Sequence, residues 1–193
     1  MNTTRLEAFS DGVIAILITI MVLELKVPHG TTLEALRPQL PVFLTYLLSF
    51  VYVGIYWNNH HHLFHLVPQV TGGILWGNLN LLFWLSLIPF ATGWMGENHF
   101  ASLPTALYGC VLLAAAIAYR ILVVVICSHP GAGEKLARAL GSDFKGKTSI
   151  VGYLIGIGGA FVHQWISDVM YVAVAAMWLI PDRRIEASVK AEG

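Results

Sequence analysis

Charge is scarce in this chain. Of its 193 residues only 11% are Asp, Glu, Lys or Arg, whereas 56% are hydrophobic and the mean hydropathy is +0.69. Soluble domains carry about 25% charged residues. There is too little charge here to clothe a globular surface in water, and the composition is that of an integral membrane protein. Cysteine is nearly missing as well: Cys110 and Cys127 are the two. Their spacing fits no metal or redox motif, and small buried side chains are expected. A disulfide-rich secreted scaffold is excluded. Neither sign of charge is in excess, with 11 basic and 11 acidic residues, which leaves no basic face of the kind nucleic acid demands. Internal repeats of about 20–50 residues are absent too. Length makes the chain a single domain, residues 1–193.

What the sequence has instead is long apolar runs. A bilayer core about 30 Å thick takes roughly 17–25 helical residues to cross. Runs of that kind cover residues 9–27, 42–59, 73–95 and 104–127. Pro28 closes the first, a polar stretch with Glu34, Arg37 and Pro38 follows, and Pro89 predicts a kink in the third. Residues 148–181 are too many for one crossing and few for two. Gln164, Ser167 and Asp168 mark a turn there, giving spans 148–163 and 166–181. Each would reach only about 24 Å, so they need bilayer thinning or protein cover. The expected fold class is all-α, with six transmembrane helices per chain.

An even number of spans sorts the charges. Arg5, Arg120, Lys135, Arg138, Lys145, Lys147, Arg183, Arg184 and Lys190 fall on or near one side, and only Lys26 and Arg37 on the other. The positive-inside rule then places both termini in the cytoplasm of a multi-pass cell-membrane protein. The connector before the fifth span holds Leu136 and Leu140 one turn apart among charges, the pattern of an amphipathic segment at the membrane surface. The first run is not a cleaved signal peptide, because Asp11 lies within it and no A-x-A-like site follows.

On a helical wheel of about 100° per residue, Phe9, Gly12, Ile16, Thr19, Ile20, Leu23 and Val27 form one stripe, apolar except for Thr19. Such a stripe can face lipid, pack within a bundle, or line a pore around a symmetry axis. Ser10 and Asp11 fall on the far side. An Asp inside a span costs at least about 2.5–3.5 kcal/mol unless it is paired or hydrated. Asp11 therefore needs a donor from another helix, and the end of the second span, Trp57 to His62, offers several. Alternatively, Ser10 and Asp11 cap a helix that starts at Gly12.

The motif Arg5-x-x-x-Phe9-Ser10-Asp11, running into Gly12-Val13-Ile14-Ala15-Ile16 and closing at Glu24-Leu25-Lys26-Val27-Pro28, resembles the first helix of the transmembrane protein 175 family. That family comprises the lysosomal potassium channel and its bacterial and archaeal relatives. The ending Trp57-Asn58-Asn59-His60 is similar to the family's Trp-x-x-His. The resemblance implies a potassium-selective cation channel. With one six-helix repeat per chain it implies a homotetramer whose first helix lines the pore. It further implies an apolar constriction at Ile16, Ile20 and Leu23 and a hydroxyl at Thr19 that favours potassium. Arg5, Phe9, Ser10 and Asp11 would hold the helices together with Trp57 and His60. The implied partners are potassium ions, the bilayer and further copies of the chain. No cofactor, metal or nucleic acid is implied.

Three lookalikes carry less weight. Ile150-Val151-Gly152-Tyr153-Leu154 echoes the T-V-G-Y-G filter but lacks its last glycine and any preceding pore helix. Gly156-Ile157-Gly158-Gly159 lies in an apolar run, where small residues permit close helix packing. His60, His61, His62 and His65 raise an alternative in another class, an ion-coupled secondary transporter or a metal- or haem-binding membrane protein. No carboxylate or cysteine stands within that stretch to complete a ligand set. No nucleophile–base constellation appears either, and an enzyme is not expected.

Overall fold

The computed structural model describes residues 3–65, 67, 69–128 and 144–179. Their regular structure is helical throughout. α1 (Thr3–Leu23) leads through a 3-10 segment (Leu33–Gln39) into α2 (Leu40–His65). α3 (Gly72–Ser86) and α4 (Ile88–Glu97) are the two halves of one broken rod. α5 (Ser102–Cys127), α6 (Phe144–Gly159) and α7 (Gln164–Leu179) follow. Thr3–Leu23, Leu33–His65, Gly72–Glu97 and Ser102–Cys127 are long and apolar enough to cross a membrane, and Gln164–Leu179 is a shorter apolar helix. In hydrocarbon an unpaired backbone group costs several kcal/mol, so each run closes its hydrogen bonds within itself.

The helices differ from the apolar runs at their ends, for physical reasons. α1 begins well before Phe9, because the Thr3 hydroxyl donates to the Val67 carbonyl at 3.1 Å and ties the first turn down. It stops at Leu23, short of Val27. The polar stretch with Glu34, Arg37 and Pro38 is itself the 3-10 segment. The third run breaks at Leu87, where the Leu87 N–H reaches back only to the Trp84 carbonyl and Pro89 sits in the first turn of α4. Gln164, Ser167 and Asp168 do not form the turn; residues 160–163 do, and all three polar residues lie in α7. Ser167 tolerates that position because its hydroxyl donates across the hairpin to the Gly156 carbonyl at 2.6 Å.

α5 is the central column, packed against α3, α4, α6 and α7, while α1 stands at the margin against α2, α3 and α4. Close approach depends on glycine. A side chain on Gly109 would collide with Tyr171 and with Ile157, and one on Gly156 would collide with the same tyrosine ring. Tyr171 is pinned between them: its hydroxyl donates to the Thr105 carbonyl at 3.1 Å, and its own carbonyl accepts from Tyr52 at 2.6 Å. Below the Leu87 break, three hydroxyls form a chain. Thr92 donates to the Ile88 carbonyl, so Ser49 donates to Thr92 at 2.6 Å and Tyr108 to Ser49 at 2.9 Å.

Two expectations need revision or fall elsewhere. The cysteines are not buried: Cys110 is exposed and Cys127 half-buried. Cys110 points away from the α5 face whose Tyr108, Gly109, Val111 and Leu112 meet the other helices. The connector with Leu136 and Leu140, together with Lys135, Arg138, Arg183, Arg184 and Lys190, lies outside the described residues.

Replacing Gly109 with Ala should destabilise the fold by about 1–3 kcal/mol through overpacking against Tyr171. Gly158→Ala, with open space around it, should not. Thermal unfolding of the detergent-solubilised variants checks this; equal melting temperatures would contradict the packing account.

Candidate ion pathway on the first helix

α1 has two unlike edges. Leu6, Ser10, Ile14, Leu17 and Met21 are buried against the rest of the chain. Phe9, Ile16, Ile20 and Leu23 are 52%, 56%, 42% and 80% exposed. The stripe found by periodicity is therefore not packed inside the chain's own bundle, and of the three options for it, lipid or a shared axis remain. Thr19 is exposed on the same edge. Its hydroxyl donates to the Ile16 carbonyl at 2.8 Å, which uses its proton and leaves the oxygen lone pairs available to a cation.

The buried edge is oriented by side-chain hydrogen bonds from two other helices. Trp57 Nε1 on α2 donates to Asp11 Oδ1 at 3.0 Å. Ser10 meets α3: Asn78 Nδ2 donates to Ser10 Oγ at 2.9 Å, and Ser10 Oγ donates in turn to the Leu6 carbonyl at 2.8 Å. With its amide nitrogen so engaged, Asn78 turns Oδ1 to His60 Nε2 at 2.7 Å, which requires the proton to be on Nε2. The other ring nitrogen, Nδ1, is buried with no partner among the described residues, and the ring stacks on Phe64 with centroids 4.4 Å apart. Ser10, His60 and Asn78 are all buried. The capping alternative is overturned, since α1 is already helical from Thr3 and Ser10 and Asp11 lie inside it.

Not every motif residue joins. Arg5 is exposed, and no hydrogen bond or ion pair among the described residues links it to Ser10, Asp11 or His60. The wheel explains this, because Arg5 lies on the stripe beside Phe9, roughly 140° from Ser10. Phe9 likewise lies on the exposed edge rather than in the network. Asn78, conversely, was not anticipated by the motif. Its signal was an amide in the apolar run Ile74 to Leu82, a place where a polar side chain must find partners.

His61 and His65 stand one turn apart on α2, ring centroids separated by 6.4 Å, with His61 stacked on Trp57. Among the described residues no group of three or more His, Cys, Asp or Glu is placed to hold a metal ion.

Asn78→Ala strands His60 Nε2 and removes the donor to Ser10, so it should cost about 1–3 kcal/mol of stability. Trp57→Phe, at a half-exposed site, should cost less. Denaturation of the two variants in detergent ranks them; the reverse order would contradict the network as the main restraint on α1.

Comparison with known proteins places the geometry in a family. The model of the family described as endosomal/lysosomal potassium channel TMEM175 matches residues 5–89, which span α1, α2 and α3 and end at Pro89, in the first turn of α4. A potassium channel of Chryseobacterium sp. (strain P1-3) is 57% identical, covering 98% of this chain and 99% of that protein. A potassium channel of Streptomyces collinus is 34% identical, covering 82% of each. The crystal structure of a lysosomal potassium-selective channel TMEM175 homolog from Chamaesiphon minutus superposes with a TM-score of 0.77 at 28% identity, over 92% of this chain and 96% of that one. The exposed edge of α1 and the hydrogen bonds behind it thus belong to a multi-pass membrane protein of the TMEM175 potassium-channel family.

Proposed function

We propose that four copies of this chain surround a central axis in the cell membrane, with the exposed edge of α1 turned inward, and conduct potassium passively down its gradient. The observation that carries this reading is the edge itself. The chain buries one side of α1 and leaves Ile16, Ile20 and Leu23 exposed on the other. The likeness to named potassium channels over nearly the whole chain supports it.

Four Ile16 side chains around an axis make an apolar collar. Ile20 and Leu23 extend it by about 10 Å at 1.5 Å per residue. Water wets such a collar poorly, so a cation entering it must leave part of its hydration shell, or the collar dries and closes. Potassium gives up water more cheaply than sodium, which favours it. Thr19, its proton already donated to the Ile16 carbonyl, offers oxygen lone pairs that replace some of the lost water. Arg5, Arg120, Lys145 and Lys147 support cytoplasmic termini under the positive-inside rule.

Flux measured in liposomes containing only this protein tests the assignment. Potassium should pass in preference to sodium, without saturation or a coupled ion. Ile16→Asn should raise cation flux, lower selectivity, or both. Thr19→Val should lower the potassium-to-sodium ratio by roughly two- to tenfold, the span of a fraction of 1.4 kcal/mol up to that value. Native mass measurement should give four chains. Unchanged flux and selectivity in Ile16→Asn would remove α1 from the pathway.

A further inference from the structure

The C-terminal end of α1 is held differently from its middle. Met21 is the last buried residue of α1, and from Val22 to Pro41 no side chain is buried, the 3-10 segment included. Apolar packing therefore contributes little to the turn that carries Leu23, where Leu25 is only half-buried. Side-chain contacts with α4 hold it instead. Lys26 Nζ donates to Glu97 Oε1 at 2.5 Å as an ion pair, and the Glu24 carboxylate lies against Gly93, its Oε2 3.7 Å from where a Cβ there would be.

Glu97 is a firm anchor. α4 is seated so closely on the start of α2 that a Cβ on Gly96 would lie 2.9 Å from the Val42 Cα. Glu97 also closes α4, where the helix dipole is negative and an acid is disfavoured. The ammonium offsets both charges, and the Glu97 hydrogen bond, reinforced by the charges of Glu97 and Glu24, raises the Lys26 pKa above its usual value.

We infer that the Lys26–Glu97 pair is a positioning device that ties the C-terminal end of α1 to α4 and so sets where Leu23 stands in the conduction pathway. This rests on the reading that α1 lines the pore. Neither residue touches the permeating ion in this account. They act through the placement of the helix end at Leu23, three residues before Lys26.

The alternative, that these charges act on the ion directly, predicts an opposite pattern of signs. Lys26→Met makes the region more negative and Glu97→Gln makes it less negative. If the pair works as a tie, both substitutions shift potassium flux in liposomes in the same direction. The shift should be roughly threefold, within what an exposed ion pair can contribute. The double variant should shift it no further, and the exchange Lys26→Glu with Glu97→Lys should restore it. Both side chains are exposed, so melting temperature and elution volume should stay at wild-type values. Shifts of opposite sign, no shift, or failure of the exchange to restore flux would each overturn the tie. Ile16→Asn measured alongside separates the two claims. If it alters flux while the pair variants do not, only the tie fails; if it too is silent, the pore reading fails first.

Discussion

One amide side chain decides which way the first helix faces. Asn78, buried on α3, gives its nitrogen to Ser10 and its oxygen to His60, so three helices meet at a point where each polar atom used has a single direction. In an apolar solvent such an arrangement is hard to rotate. Turning α1 by even one residue would carry Ser10 away from its donor and strand it. The exposed edge of Ile16, Ile20 and Leu23 is the geometric complement of that constraint. Those residues face outward because Ser10 faces in. Trp57 and Asp11 add a second bond from α2, and Leu6, Ile14, Leu17 and Met21 fill the space between.

Much of this was legible in the sequence, and the reasons are specific. The periodicity of residues 9–27 separated the two edges of α1 correctly, because a 3.6-residue repeat is a property of any straight helix regardless of its neighbours. The cost of a carboxylate in a span correctly called for a donor near Trp57. Proline at position 89 announced a break. The Arg-x-x-x-Phe-Ser-Asp motif identified the family. Less legible was anything that depended on which helices touch. Asn78 could be seen as an anomaly but not matched to His60 and Ser10 without the packing. Arg5 belonged to the motif in sequence yet lies across the helix from its other polar members.

Helix ends were the least legible of all. Hydropathy marks where apolar residues stop, whereas a helix stops where its hydrogen bonds do. Thr3 bonds to Val67 and extends α1 backward. Ser167 finds the Gly156 carbonyl and stays helical where polarity suggested a turn. Lys26, past the end of α1, pairs with Glu97, the last residue of α4, a contact no local pattern could announce.

The break at Leu87 lets the two halves of the third crossing hold the first helix at different heights. The half before it grips α1 through Asn78 and rests on α5; the half after it meets α1 near Glu24 and leans on both α2 and α5. The first helix is thus held near one end through α3 and near the other through α4. A change confined to α4 therefore meets the first helix at a different height from one confined to α3.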